Sequence, residues 1–268
     1  MTDLDAIRQR QQQTWATGDF SMVGASQVIV GEMLCEAVEL HAGQDVLDVA
    51  TGAGNTALAA ARRGCRVTGI DFVPALLERG RERAAAERLR VSFLEGEAEK
   101  IPFPDSSFDA VLSTFGAMFA PDPKLAADEL LRVCRPGGKI GMANWTPQGM
   151  IGEMFRIVRA AAPPPPVKLE PPEDWGVEAK LRERFGDRIS TLTVTPRWSA
   201  FRHFTPKDWV EFMKTWFGPT IVTFRALSPE QQDALTAAML DLVTRNNQSG
   251  DQTLLARGEY IEVIARKR

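Results

Sequence analysis

Seven short stretches of this 268-residue chain hold the side chains whose types and spacing bear on chemistry. The first is Asp48 followed by Thr51, Gly52 and Gly54; the second is Asp71 with Phe72 behind it. The third is Glu97, Ala98 and Glu99, the fourth Ser113, Thr114 and Phe115, the fifth Gly116 to Phe119. The sixth is Pro136, Gly137 and Gly138, and the last is His203 between Arg202 and Phe204. None of these joins a nucleophile to a base. What they offer is ligand binding: glycines let a ligand approach the main chain, and an ionised Asp can accept from two hydroxyls at once. Gly52, Gly54 and Ala57 also satisfy the loose G-x-G-x-x-G/A pattern, which leaves a dinucleotide open. A nucleotide-type cofactor is the default reading, with Asp71 on a ribose and residues 97–99 at an adenine edge.

The elements that must position these groups follow from periodicity. Residues 46–49 are short and apolar, as in a buried parallel strand, and residues 56–63 form an Ala-rich helical run after the glycine turn. Strands are predicted at 65–71, 90–94, 108–113 and 139–144, and helices at 74–88 and 123–134. Pro136-Gly137-Gly138 reads as the stop of the last helix. Residues 44–146 thus alternate β and α, which specifies an open, mostly parallel sheet with helices on both faces. The chemistry-bearing stretches then fall at the C-terminal ends of consecutive strands, where such sheets bind ligands.

On either side the texture differs. Residues 1–20 and 26–40 read as helices. Past Trp145, helices are predicted at 150–162, 175–185, 206–217 and 229–246, with a Pro-rich linker at 161–174. A strand is expected at 189–195 and a last one at 260–266, closing the sheet as an antiparallel edge. Five of the six tryptophans, Trp145, Trp175, Trp198, Trp209 and Trp216, lie in or beside this half and are candidates for an apolar acceptor pocket.

Composition limits the rest. The chain is 44% hydrophobic and 25% charged with a formal net charge of −3, which gives no support for a nucleic-acid surface. The N-terminus lacks an apolar signal region and no window reads as a membrane span, so a cytoplasmic location is expected. Cys35, Cys65 and Cys134 show no metal-ligand spacing and read as buried thiols; no metal site is expected.

Four segments, VLDVATGAGNTA, VTGIDFVPALLERGRERA, EGEAEKIPFPDSSFDAVLS and ELLRVCRPGGKIGMANW, resemble in order and spacing the motifs of class I S-adenosylmethionine-dependent methyltransferases. The similarity is to the ubiquinone/menaquinone-biosynthesis-like subgroup (methyltransferase type 11) and spans about residues 40–147. It implies a Rossmann-like, doubly wound, mostly parallel seven-stranded sheet with an antiparallel C-terminal strand and a helical substrate-facing insertion. Residues 1–40 would cover the cofactor site, 41–147 form the S-adenosylmethionine-binding core, 148–258 face the substrate and 259–268 close the sheet.

The resemblance also implies roles. Ala50, Thr51, Gly52 and Gly54 would line the methionine moiety, with Asp48 orienting the loop. Asp71 would hold the ribose, Phe72 pack on adenine, and Glu97 and Ala98 meet its edge, although the usual residue at position 97 is Asp. Thr114 and Phe115 would close on the sulfonium side. Where relatives often carry a His near the end of the fourth-strand loop, this chain has Phe119, so His203 is the remaining candidate base, with Arg197 and Arg202 near. The expected partner is a small-molecule methyl acceptor, and a homodimer is left open. The alternatives are an NAD(P)-dependent oxidoreductase and an S-adenosylmethionine-binding protein without catalysis.

Overall fold

The computed structural model describes residues 3–163 and 169–268; the predicted proline stop at 164–166 lies outside the described residues. The chain opens with α1 (Asp3–Trp15), α2 (Phe20–Gly24), a 3-10 turn (Ala25–Gln27) and α3 (Val28–Val38). The alternating core follows: β1 (Asp45–Val49), α4 (Asn55–Arg62), β2 (Arg66–Asp71), α5 (Pro74–Ala86), β3 (Val91–Glu95), β4 (Phe108–Thr114), α6 (Pro123–Val133) and β5 (Cys134–Trp145). The rest comprises α7 (Met150–Ala161), α8 (Glu178–Phe185), β6 (Ile189–His203), α9 (Pro206–Trp216), α10 (Gly218–Ala226), α11 (Pro229–Arg245) and β7 (Leu254–Lys267).

The seven strands form one sheet in the order β3-β2-β1-β4-β5-β7-β6. The first five are parallel, and β7 runs antiparallel to both of its neighbours. Strand β1 is central because Val46, Leu47 and Val49 are fully buried, with apolar layers on both faces. On one face, Ala57, Leu58, Ala59 and Ala60 of α4 are fully buried beside α3, and their small size lets helix and sheet approach closely. On the other, α6 begins at Pro123 behind the N-cap Asp122, whose side chain accepts from the Leu125 N–H at 2.9 Å, and buries Ala126, Leu130 and Val133.

Five expectations change. The last strand is not an edge: β7 lies between β5 and β6, because Tyr260, Ile261, Val263 and Ala265 bury both of its faces. The edge is β6, which carries Pro196, a residue tolerated on edge strands because it has no N–H to donate. Strand β6 also runs on to His203, well past the predicted 189–195. Pro136-Gly137-Gly138 does not end a helix but sits inside β5, where a register shift between Phe108 and Ala110 accommodates the extra residues. Trp175 belongs to a 3-10 turn ahead of α8, and α10 was not anticipated.

The extra length of β6 and β7 shapes the top of the molecule. Trp145 ends β5 opposite Tyr260, which pairs in turn with Arg197. The six pairs from Trp198↔Glu259 to His203↔Leu254 therefore continue without β5, a projection of about 20 Å at about 3.3 Å per residue. Helices α7, α9, α10 and α11 gather around it. The stretch Phe20–Val38 is long and apolar enough to cross a membrane, yet it is broken by the 3-10 turn, and Val30, Leu34, Cys35 and Val38 belong to the core. All three cysteines are free and buried.

Candidate active site

The order of the sheet reverses between β1 and β4, and a cleft opens there at the C-terminal ends of the parallel strands. Its volume is about 1080 Å³, counted out to its open mouth. The floor is the turn after β1. Ala50, Gly52 and Gly54 all take positive φ, at 54°, 55° and 83°. Ala50 does so without glycine's freedom, and Gly116 answers it: a Cβ at Gly116 would stand 2.5 Å from the Ala50 Cβ. Local strain of this kind gathers where a ligand must meet the backbone.

Two buried carboxylates hold the turn. Asp48 Oδ2 accepts from Thr51 Oγ1 at 2.5 Å and from the Ala57 N–H at 3.0 Å, tying the turn to the start of α4. Burial pushes its carboxyl up to about 7 against those two hydrogen bonds, and the charge of Asp71 pushes the same way. Asp71 Oδ2 accepts from the Gly52 N–H and Oδ1 from the Val73 N–H, both at 2.9 Å. Burial raises Asp71 to about 6, opposed by the N–H groups of Val73, Gly52 and Phe72. Asp71 thus steadies the start of α5 and the glycine turn together.

From below, Arg83 of α5 reaches the same turn, donating to the Ala53 carbonyl at 2.6 Å and to Asn55 Oδ1 at 2.7 Å. Burial lowers its pKa. In the sequence Arg83 reads as one more charge on a solvated helix face; only the packing of α5 under the turn shows otherwise.

The structure brings together Asp48, Ala50, Thr51, Gly52, Asp71, Phe72, Glu97, Ala98, Thr114 and Phe115, all of which line the cleft. Gly54 does not. It lies beneath the turn as the N-cap of α4, where a Cβ would stand 2.8 Å from the Phe93 ring. His203 does not line the cleft either; it sits at the far end of β6, edge-on to Phe212 with centroids 5.0 Å apart. Burial lowers its pKa, partly offset by Asp208. Nor do the five tryptophans of the C-terminal half reach the cleft: Trp175 and Trp209 are core, and Trp198 is exposed on the edge strand.

Other residues take those places. The sixth tryptophan, Trp15 of α1, lines the cleft with Phe20 and Phe119. Its ring meets Phe119 at 4.8 Å and Phe20 at 5.5 Å, with Phe217 behind at 5.5 Å. Glu99, placed by the sequence with the adenine-edge stretch, is buried and bonded within the protein. It accepts from Arg8 Nε at 2.8 Å and from the Asp122 N–H at 2.7 Å, so one carboxylate joins α1 to the start of α6. Gln12 adds a hydrogen bond to the Phe72 carbonyl. Phe115, at φ 59°, donates its N–H to the Ala143 carbonyl and stacks on Trp145 at 3.9 Å. Thr114 shares a hydrogen bond of 2.7 Å with Thr56 of α4.

A doubly wound sheet with a strained glycine turn at its switch point and a carboxylate closing the next strand defines a protein built around a nucleotide-like cofactor. A family model described as a methyltransferase domain matches residues 47–142. An uncharacterized protein of Mycobacterium tuberculosis is 39% identical over 230 residues, which are 85% of this chain and 82% of that protein. A demethylmenaquinone methyltransferase of Deinococcus radiodurans is 40% identical over 121 residues, 44% of this chain and 50% of the other. Among solved structures, the YcgJ protein of Bacillus subtilis shares the fold with a TM-score of 0.59 at 22% identity, over 88% of this chain and 97% of that one. Residues 47–142 thus form a methyltransferase domain of the S-adenosylmethionine-dependent kind, and the chain belongs to one family with the mycobacterial protein.

Proposed function

We propose that this enzyme transfers a methyl group from S-adenosylmethionine to a small-molecule acceptor bound beside Trp15, Phe20 and Phe119. The observation that carries the reading is Asp71. Each of its oxygens takes one backbone N–H from the protein, and the carboxylate lines the cleft with lone pairs to spare. Burial raises it to about 6, and its backbone N–H partners pull the other way. That combination suits the two hydroxyls of a ribose. Glu97 and the backbone of Ala98 face the adenine end, and Ala50 to Gly52 run under the methionine end, where a Cβ on Gly52 would approach nothing nearer than Phe20 at 3.8 Å.

When bound, the cofactor supplies a methyl group on a sulfonium, ready for in-line displacement. The chain's part is alignment, worth up to roughly 7–11 kcal/mol in well-oriented cases, and exclusion of water by α1 and the aromatic wall. Among the described residues no histidine lines the cleft; an acceptor that arrives already nucleophilic, or that loses its proton to water, needs none. Residues 1–40 serve as the cover, 41–147 as the cofactor-binding core, and 148–258 as the substrate-facing part, with 259–268 closing the sheet. The named function of the Deinococcus relative makes a quinol-type acceptor a reasonable first class to try.

Calorimetry with S-adenosylhomocysteine and, separately, NADH tests the reading. Micromolar binding of the first alone is expected, and Asp71→Ala should weaken it by about 1–3 kcal/mol. Binding of NADH alone would return the site to the oxidoreductase. S-adenosylhomocysteine binding with no turnover on any phenol, amine or quinol would favour a cofactor-binding protein without transferase activity.

A further inference from the structure

The sheet has two edges, and they are built differently. Strand β3 is only five residues long, and Arg81 of α5 donates to its Phe93 carbonyl at 2.7 Å. A short edge guarded by a charged side chain resists pairing with another chain. Strand β6 is fifteen residues long, and its upper part, from Trp198 to His203, projects with β7 beyond the end of β5. The only exposed aromatic side chains among the described residues stand here: Trp198 is 58% exposed and Phe204, just past the end of the strand, 87%. Neither lines the cleft.

The hydrogen bonds of β7 show which groups of β6 are open. The Glu259 carbonyl accepts from the Thr146 N–H and the Leu255 carbonyl from the Gln248 N–H, so both residues turn these groups away from β6. In an antiparallel pair, residues directly opposite either bond each other or both face away. Trp198 lies opposite Glu259, Ala200 opposite Arg257 and Arg202 opposite Leu255. The N–H and C=O of Trp198, Ala200 and Arg202 therefore point outward along an open edge, and the three side chains share one face of it. Pro196 falls in the same series but has no N–H to offer.

We infer that this edge is a dimerisation surface: it takes the same edge of a second copy of the chain, antiparallel to itself, with Ala200 on the two-fold axis. The side chains choose the register. An axis at Trp198 or Ser199 would draw Pro196 into the ladder, and one at Arg202 would set two guanidiniums side by side. An axis at Phe201 would leave only Ala200 and Arg202 to pair. The axis at Ala200 avoids these faults. It pairs a small residue with itself and lays Arg202 of each copy across the Trp198 indole of the other, a cation–π contact made twice. That guanidinium also extends toward Glu259, the cross-strand neighbour of Trp198, so charge is complementary across the join. Past the end of the ladder, Phe204 of each copy meets Pro196 of the other. Both exposed rings are thereby covered, and the two seven-stranded sheets become one.

Sedimentation velocity on the full chain, from micromolar concentration upward, should show a species of twice the monomer mass that grows with concentration. Arg202→Glu, which brings a carboxylate toward Glu259, should weaken dimerisation by about tenfold or more, and Trp198→Ser should do the same. Both side chains are exposed, so circular dichroism should stay unchanged. Ala200→Cys should cross-link the copies under mild oxidation, because opposite Cα atoms of a bonded antiparallel pair stand about 5.5 Å apart, within disulfide range. The three native cysteines are buried, so the unaltered chain is the blank. A chain that stays monomeric at every concentration overturns the inference. So does a dimer that Arg202→Glu and Trp198→Ser leave intact, or one that Ala200→Cys fails to cross-link, since another surface or register would then join the copies. A monomer that co-sediments with phosphatidylglycerol vesicles, and loses them on Trp198→Ser, would overturn it too and give the face to a membrane.

Discussion

At the scale of single residues, the cleft is governed by two carboxylates that would rather be neutral. Asp48 is 1% exposed and raised to about 7; Asp71 is 5% exposed and raised to about 6. In the unfolded chain both titrate near 4, at about the ordinary Asp value. The folded protein therefore binds more protons than the unfolded one between about pH 4 and pH 7, and stability from these groups is full below that window and falls as pH rises through it. Surface pairs such as Asp45 with Arg66, and Asp109 with Arg135, work in the opposite sense, because their carboxyl pKa values are lowered. The clean measurement is a difference. Asp48→Asn keeps the shape and removes one titration, so chemical denaturation from pH 4 to pH 8 should show the variant gaining on the parent protein as pH rises. The gain should be at most about 1.4 kcal/mol per pH unit. A difference independent of pH would mean that Asp48 ionises normally. Residues of this kind were legible in the sequence because Asp48, the turn and Asp71 belong to one strand-turn-helix-strand unit. Glu99 was not: its partner Arg8 is 91 positions away, and only the folding of α1 over the cleft buries it.

At the scale of elements, the glycine turn separates two jobs that one sequence pattern runs together. Gly52 faces the cleft, whereas Gly54 is pressed against Phe93. An alanine at either position pays for its positive φ by about 1–2 kcal/mol. At Gly54 the added Cβ also meets the Phe93 ring at 2.8 Å, so Gly54→Ala should lose more stability than Gly52→Ala. Gly52→Ala should show the larger loss of S-adenosylhomocysteine affinity, because its Cβ enters the ligand's space. Urea denaturation alongside calorimetry reads both quantities, and the opposite ranking would show that Gly54, not Gly52, meets the cofactor. The alternating core was readable because each strand and helix there is short, apolar and punctuated by turns. The later half was less so. Whether a strand such as β7 lies inside a sheet depends on what covers its two faces, and periodicity in YIEVIAR does not state that. The aromatic wall was misplaced for the same reason: composition locates tryptophans in the chain, but Trp15 reaches the cleft only because α1 folds back across it.

At the scale of the molecule, the cleft is where parts of the chain far apart in sequence meet. Helix α1 reaches the β3–α6 side through Arg8 and Glu99, touches the β2 end through Gln12 and Phe72, and packs its Trp15 on Phe119 and Phe217. A ligand in the cleft adds contacts to each of these parts at once, and by mass action it stabilises whatever arrangement binds it. At a hundredfold excess over its dissociation constant, S-adenosylhomocysteine should stabilise the protein by about 2.7 kcal/mol. Thermal melting then rises by about 2–4 °C for each kcal/mol in a chain of this order of size. Hydrogen exchange should locate the gain: protection is expected in α1, in residues 50–54 and at the end of β2 together, although these segments lie far apart in sequence. Protection confined to residues 50–54 would show that α1 does not close on the cofactor, and that the aromatic wall is assembled before any ligand arrives.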